Sequence, residues 1–93
     1  MKINALIKKI NRELPEAKAV STKEWDGNDG GIWFRGSEDY VEADGLNIFD
    51  YWAMDGNDMG CYVDGVHPKL AKILDDAGWI SEPYDSGTLM AFN

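Results

Sequence analysis

Clusters of turn-forming residues divide the middle of this sequence into short segments. Residues 26–31 and 55–60 share the string Asp-Gly-Asn-Asp, and Asp44-Gly45 stands between two largely apolar stretches. An Asp-Gly pair in that setting is typical of a two-residue hairpin loop, which here would pair Ala43 with Leu46. Aromatic and β-branched residues are frequent between the turns, which favours strands. The centre of the chain is therefore expected to form antiparallel hairpins.

Helical patterns lie on both sides of this region. Near the N-terminus, apolar residues recur at helical spacing at Ile3, Leu6, Ile7, Ile10 and Leu14. Pro15 is expected to end this first helix. Further along, Pro68 suits the first position of a second helix, which His67 would cap. Gly78 suits the left-handed residue that follows the last turn of that helix.

The order of these elements predicts an α+β fold within a single domain, residues 1–93, because a chain of this length has room for one hydrophobic core. We expect an antiparallel β-sheet meander of about five to seven short strands, with an N-terminal helix and a second helix near the C-terminus. One strand is expected to run from Val20 to Trp25. Residues 83–87 are expected to form the turn before the last strand.

The charge of the chain is strongly and unevenly negative. Seventeen acidic residues against nine basic ones give a net charge of −8. Residues 24–66 carry eleven of the acids and a single cation, Arg35, whereas residues 1–23 are net positive. A protein that binds nucleic acid directly needs cations to displace counterions from phosphates, so this class is disfavoured. The charge favours instead a protein partner with a basic surface.

The single cysteine, Cys61, excludes an intramolecular disulfide bond. Secreted domains of this size usually carry several cysteines, so a cytoplasmic location is expected. No apolar run is long enough for a signal peptide or a membrane span, which predicts a protein that does not associate with membranes. We expect a monomer or a weak homodimer.

The two Asp-Gly-Asn-Asp loops suggest calcium, but their spacing does not fit. A helix–loop–helix calcium site needs oxygen ligands at positions 1, 3 and 5 of the loop and an acidic residue at position 12. Counted from Asp26, position 12 is Ser37, and counted from Asp55 it is Val66. We therefore expect structural turns and no bound metal, with an adventitious cation site as the alternative.

Residues that could support catalysis do not form a recognisable constellation. Cys61, Asp64 and His67 are close in sequence, but nucleophilic catalysis needs an oriented base, and one Cys with one His cannot complete a tetrahedral zinc site. No carboxylate stands apart from a solvated acidic surface, and no glycine-rich loop opens onto a helix. No cofactor and no enzymatic activity are expected, although a small enzyme of unrecognised type stays an alternative.

An acidic stretch is the strongest indication of a functional surface. Glu38, Glu42 and Asp44 share strand parity with Tyr40, so their carboxylates would form a row on one face. Such a row of negative charges resembles the phosphates that a phosphate-binding groove accepts. The alternative is that these residues form the polar face of a half-exposed sheet. The expected partner-binding residues are Glu38, Asp39, Tyr40, Glu42, Asp44, Asp50 and Trp33, with Tyr40 and Trp33 as aromatic anchors.

The N-terminal segment MKINALIKKI is similar to the first helix of an anti-CRISPR protein that blocks a Cas9-type nuclease. In size and acidity the chain also resembles the small phage-encoded inhibitors of this kind. The resemblance implies binding to a CRISPR effector complex, without catalysis, by blocking the access of nucleic acid. Downstream the chain departs from that pattern, since it has no long acidic C-terminal helices. The alternative partner is a basic toxin, bound by an acidic immunity or antitoxin-like protein.

Overall fold

The computed structural model describes residues 2–38, 41–51 and 62–93. Within these ranges the chain forms three α-helices, α1 (Ile3–Glu13), α2 (Lys23–Asp26) and α3 (Pro68–Ala77). The same ranges hold six strands, β1 (Ala19–Ser21), β2 (Gly31–Phe34), β3 (Glu42–Ala43), β4 (Leu46–Asn47), β5 (Ile80–Asp85) and β6 (Thr88–Phe92). Short 3₁₀ turns, Pro15–Ala17 and Arg35–Ser37, follow α1 and β2. No helix in the described part of the chain is long and apolar enough to cross a membrane.

The strands form two antiparallel sheets. The larger sheet has four strands in the order β1-β2-β6-β5, and β3 pairs with β4 in a separate sheet. The predicted α+β fold with an antiparallel sheet, an N-terminal helix and a second helix near the C-terminus is confirmed. The sheet differs from a simple meander in one respect, because β6 lies between β2 and β5. Residues 88–91 of β6 are buried, which suits a central strand, whereas β5 is largely exposed.

One face of the larger sheet, here called the inner face, packs against α1 and α3. The register pairs Phe34 with Leu89 and Ile32 with Ala91, and all four side chains are fully buried. They belong to one hydrophobic cluster with residues of the two helices: Leu6, Ile10, Leu70, Ile73 and Leu74. Burial of each large apolar side chain stabilises the fold by about 1.5–3 kcal/mol, so this layer supplies much of the stability.

Both predicted helices are confirmed, together with the residues that end them. α1 ends shortly before Pro15. At the end of α3, Gly78 has a φ of 75° and its N–H donates to the Asp75 carbonyl oxygen (3.1 Å). The Trp79 N–H donates to the Leu74 carbonyl oxygen (2.9 Å). This is a Schellman motif, in which glycine avoids the cost of a β-carbon in the left-handed region.

The hairpin around Asp44-Gly45 is also confirmed, with Ala43 paired to Leu46. Both turn residues have positive φ angles, 56° and 81°, as a two-residue type I′ loop requires. His67 connects this hairpin to α3, because its Nε2–H donates to the Ala43 carbonyl oxygen (2.8 Å). The second sheet is thereby fixed to the rest of the fold.

The predicted strand from Val20 to Trp25 is wrong in its second half. β1 ends at Ser21, and Trp25 lies in the single-turn helix α2. Thr22 explains the change of direction. Its carbonyl oxygen accepts the Trp25 N–H (2.9 Å), and its Oγ1 accepts the Gly31 N–H (3.1 Å), so the loop closes on this residue.

The predicted turn over residues 83–87 is also wrong, because β5 is longer than expected. It continues through Pro83 to Asp85, and the turn before β6 is limited to residues 86–87. Proline is tolerated there because β5 is an edge strand, where a missing N–H leaves no partner unpaired. The register between β5 and β6 shifts between Pro83 and Asp85, as in a β-bulge.

Candidate functional site

The larger sheet has a second side, here called the outer face, which points away from the hydrophobic core. Because side chains alternate along a strand, the residues next to the core residues of β2 and β6 point to it. Trp33 pairs there with Met90, and Ile80 pairs with Phe92. The side chains of Ile80 and Phe92 are 71% and 38% exposed. The outer face therefore presents apolar surface to solvent.

Three aromatic rings on the outer face, Trp25, Trp33 and Tyr84, form what is here called the aromatic cluster. The ring centroids of Trp25 and Trp33 are 4.8 Å apart, and those of Trp25 and Tyr84 are 5.1 Å apart. The interplanar angles of 76° and 65° give the edge-to-face geometry that aromatic pairs favour. The helical turn α2 places Trp25 in contact with both other rings, while Tyr84 remains 62% exposed.

A cation of the chain itself already contacts this cluster. Cζ of Arg35 lies 5.8 Å from the centroid of the Trp33 ring. A guanidinium within about 6 Å of an indole face is attracted by the ring quadrupole, by about 0.5–1 kcal/mol at an exposed site. Arg35 is exposed, so the interaction is modest. It nevertheless shows that one ring of the aromatic cluster, Trp33, has a face accessible to a guanidinium.

A pocket of about 210 Å³, here called the aromatic pocket, lies beside the cluster. Its lining residues are Thr22, Trp25, Asp26, Asn28, Asp29, Tyr84, Met90 and Phe92. The rings and the methionine supply apolar surface, and the two aspartates supply negative charge at one side. This combination suits a ligand that joins a positive charge to an aliphatic chain.

The loop at residues 26–31, which carries the two aspartates, is held by its own hydrogen bonds. Asp26 Oδ1 accepts the Asn28 N–H (2.9 Å), which is the geometry of an Asx turn. Asp29 Oδ1 accepts the Ser21 hydroxyl (3.4 Å). In residues 2–38, 41–51 and 62–93, no three side chains of the metal-ligating types come together. The similar loop at 55–60 lies outside the described residues.

Of the predicted partner-binding residues, Trp33 lies in β2, and Glu38 follows the 3₁₀ turn after β2 and contacts β6. Glu38 is exposed, and its Oε1 accepts the Thr88 hydroxyl (3.2 Å). Thr88 begins β6, shortly before Met90, the residue paired with Trp33. The structure therefore brings this carboxylate to the same strand pair as the aromatic anchor.

The other predicted residues lie elsewhere in the chain. Glu42 and Asp44 are exposed, the first in β3 and the second in its turn. Asp50 is half-buried, and its N–H donates to the backbone of the loop that precedes α3. Asp39 and Tyr40 lie outside the described residues.

The expected row of carboxylates along one strand is wrong. Glu38 has the helical angles φ −74° and ψ −31°, because its N–H donates to the Arg35 carbonyl oxygen (3.2 Å) at the end of a 3₁₀ turn. Asp44 occupies the left-handed position of the hairpin loop. β3 contains only Glu42 and Ala43. These acids therefore project from two turns and one short strand.

Sequence reasoning misses Trp25 and Tyr84, because it places the first in a strand and the second in a turn. A signal for the first is present in the sequence. Ser21 precedes the helical turn, and its Oγ accepts the Lys23 N–H (3.1 Å), a typical way for Ser or Thr to begin such a turn. For Tyr84 the neighbouring residues Pro83, Asp85, Ser86 and Gly87 favour a turn, so the local sequence carries no strand signal.

His67 has the capping role that the sequence predicts. Its Nδ1 accepts the Lys69 N–H (3.1 Å), so the ring hydrogen is on Nε2 and is donated to Ala43. The side chain is 2% exposed. Both ring nitrogens are therefore engaged by the backbone, which leaves neither to act as a general base. Cys61 lies outside the described residues.

Comparisons of the chain with protein-family models, with curated proteins and with solved structures found no match. The outer face joins partly exposed aromatic rings to carboxylates of the neighbouring loop. Such a surface is suited to binding positively charged side chains of another protein.

Proposed function

We propose that this chain is a non-enzymatic binding protein that docks on a basic surface of a partner protein and thereby inhibits it. The aromatic cluster is the observation that carries this proposal. Trp25 contacts Tyr84 edge to face, and Tyr84 nevertheless exposes 62% of its surface. Interface hot spots are enriched in Trp and Tyr, because their rings supply a large contact area at a low cost in conformational entropy.

The distribution of charge supports a basic partner. The exposed cations Lys8 and Arg12 lie on α1, which covers the inner face. Asp26, Asp29 and Glu38 lie around the outer face. The acids around the outer face would attract a basic partner and speed association.

The proposed partner is a protein that binds nucleic acid, of the kind represented by CRISPR effector complexes. Surfaces that bind nucleic acid are basic because they neutralise phosphates. An acidic protein seated on such a surface blocks the access of the nucleic acid. The proposed interface extends from the outer face to the acids Glu38, Glu42, Asp44 and Asp50, and a phage-encoded inhibitor acting in the host cytoplasm fits this role.

The first test measures the contribution of the aromatic cluster to binding. The partner is captured by cross-linking in the native host, purified, and titrated with variants whose circular dichroism matches that of the original chain. Tyr84→Ala is expected to weaken binding at least tenfold, or about 1.4 kcal/mol. The control is Val63→Ala, since Val63 is a 50% exposed apolar side chain that lines a pocket with residues of α3 and with none of the aromatic cluster. Equal losses in the two variants would contradict the proposed surface.

The second test separates local charge from net charge. Glu38→Lys with Glu42→Lys changes the net charge by the same amount as Asp75→Lys with Asp76→Lys on α3. The first pair is expected to weaken binding more, and the loss should shrink as salt screens the contact. Asp76 pairs with Lys72 (3.4 Å) in an exposed ion pair, which contributes little to stability. Equal effects would show that only net charge matters.

A competition experiment tests the proposed inhibition. The complex with the purified partner is titrated with the nucleic acid that the partner binds. Displacement of the chain is expected, because the two ligands would share one basic surface. Simultaneous binding of both would contradict the proposed mechanism.

A further inference from the structure

The aromatic pocket brings three ring systems and two carboxylates around a volume of about 210 Å³. We propose that it binds the guanidinium group of one arginine side chain presented by the basic partner. This inference rests on the proposed function and names the chemical group that the outer face recognises.

Two of the three rings that line the pocket, Trp25 and Tyr84, pack against each other. Trp25 is held edge to face against Trp33 on one side and Tyr84 on the other, at centroid distances of 4.8 and 5.1 Å. A planar cation can stack on one ring while it meets the edge or face of the next. Because the rings already support one another, little ordering entropy is lost on binding.

Arg35 provides a precedent within the same cluster. Its guanidinium carbon lies 5.8 Å from the centroid of the Trp33 ring. Trp33 is thereby occupied by a cation of the chain, whereas the aromatic pocket is lined by Trp25, Tyr84 and Phe92. The pocket therefore offers ring surfaces of the same kind to an external guanidinium.

The carboxylates of the pocket favour a guanidinium over an ammonium group. Asp26 and Asp29 use Oδ1 in bonds to Asn28 and Ser21, which hold the loop in place. A carboxylate has two oxygens with about four acceptor positions, so each can accept a further donor. A guanidinium presents five N–H donors in one plane and can reach carboxylates at its edge while it stacks on a ring, which a compact ammonium cannot do.

The remaining wall of the pocket suits the aliphatic part of an arginine. Met90 is buried at 5% exposure, and Phe92 is 38% exposed. Methionine adapts to irregular contacts, and an aromatic edge packs well on methylene groups. The stem of the side chain would lie on these two residues, and its charged end would lie between the rings and the aspartates.

The test is a titration of the intact, ¹⁵N-labelled chain with Nα-acetyl-L-arginine amide, followed by nuclear magnetic resonance. The indole N–H of Trp25 is expected to shift with a dissociation constant of about 1–30 mM, and the indole N–H of the buried Trp79 is expected to stay in place. Nα-acetyl-L-lysine amide at equal ionic strength is expected to bind at least threefold more weakly. The corresponding norleucine amide, which has no charge, is expected to give no saturable shift. Equal shifts from all three probes would overturn the proposal, as would no shift with arginine up to about 100 mM.

Substitutions that keep the loop bonds locate the binding site. Asp26→Asn and Asp29→Asn each retain a side-chain oxygen that can accept the existing hydrogen bond. The double variant is expected to weaken arginine binding at least fivefold. Asp75→Asn with Asp76→Asn, on α3, removes the same charge and is expected to change it less than twofold. Equal loss in the two double variants would overturn the proposal.

The outcomes separate this inference from the proposed function. If Tyr84→Ala weakens binding of the purified partner but the arginine probe does not bind, the interface stands and the arginine pocket is overturned. If the probe binds at Trp25 but Tyr84→Ala leaves the affinity for the partner unchanged, the pocket stands and the proposed interface is overturned.

Discussion

At Gly36 the backbone of a 3₁₀ turn passes directly against the Glu16 carbonyl oxygen, and a β-carbon added there would overlap this oxygen. At Gly78 the situation is different. No heavy atom lies within 4 Å of an added β-carbon, but the φ angle of 75° is in the left-handed region. Alanine is therefore blocked by a neighbouring backbone at the first position and disfavoured by its own backbone conformation at the second.

Alanine substitutions at these glycines should lower the free energy of unfolding by different amounts. Gly78→Ala is expected to lower it by about 1 kcal/mol, the cost of a left-handed alanine. Gly36→Ala is expected to cost roughly 2–4 kcal/mol, because the 3₁₀ turn or the Glu16 backbone must move. Gly87→Ala is the control, since the nearest atom to its added β-carbon is 3.8 Å away. Urea unfolding measures all three, and a Gly78→Ala variant as stable as the original would refute the C-cap assignment.

His67 performs two roles that substitution can separate. Asparagine can keep the cap bond to the Lys69 N–H but cannot reach the Ala43 carbonyl oxygen, whereas alanine loses both. His67→Asn is expected to lower the free energy of unfolding by about 2 kcal/mol and His67→Ala by about 3 kcal/mol, since a cap contributes about 1 kcal/mol. Urea unfolding measures the difference. Equal values for the two variants would show that His67 does not act as a cap.

Among the elements, β1 is an edge strand of the larger sheet, and a side chain of α1 binds the backbone groups of its free edge. Asn11 Nδ2 donates to the Ala19 carbonyl oxygen (2.9 Å), and Asn11 Oδ1 accepts the Ala19 N–H (2.8 Å). The amide thus makes the two bonds that a neighbouring strand would make. The opposite edge is β5, where Pro83 removes a donor. Both devices oppose unwanted pairing with another sheet.

Removing the Asn11 amide should destabilise the chain locally and globally. Asn11→Ala is expected to lower the free energy of unfolding by about 2–4 kcal/mol, because Ala19 is buried and its N–H and C=O would lack partners. The exposed Asn4, also on α1, provides the control, and Asn4→Ala should change stability by less than about 0.5 kcal/mol. Hydrogen exchange at the Ala19 amide should quicken at least tenfold in Asn11→Ala. Unchanged protection of that amide would contradict this account.

The elements predicted correctly are those whose signals are local. The apolar period of α1, the cap residues of α3 and the Asp44-Gly45 loop each lie within a few residues of the structure they define. The sheet order is different, because it depends on the pairing of Trp33 with Met90, which are far apart in sequence. The position of Trp25 likewise depends on the closure of a loop by Thr22 and Gly31.

At the scale of the whole molecule, the candidate site is predictable only in part. The net charge follows from the composition, and the choice of Trp33 as an anchor follows from the aromatic residues of a single strand. The aromatic pocket cannot be predicted in this way, since it forms only when β6 lies between β2 and β5 and brings Tyr84 and Phe92 next to Trp25. A site assembled from three separate segments leaves no compact motif in the sequence.

The net charge of −8 also predicts how the whole molecule responds to salt. Folding brings the acids together, so raising sodium chloride from about 20 to about 500 mM should screen their repulsion and raise the melting temperature by several degrees. Calcium chloride at matched ionic strength should add no further increase, because the loop that begins at Asp26 has Gly30 at position 5 and Ser37 at position 12, where a calcium loop needs oxygen ligands and an acidic residue. Magnesium chloride and EDTA are the controls for divalent charge and for traces of metal. A melting temperature several degrees higher in calcium than in magnesium would reveal a specific cation site and refute the interpretation of the Asp-Gly-Asn-Asp loops as structural turns. A melting temperature that does not respond to sodium chloride would show that repulsion among the acids does not limit stability.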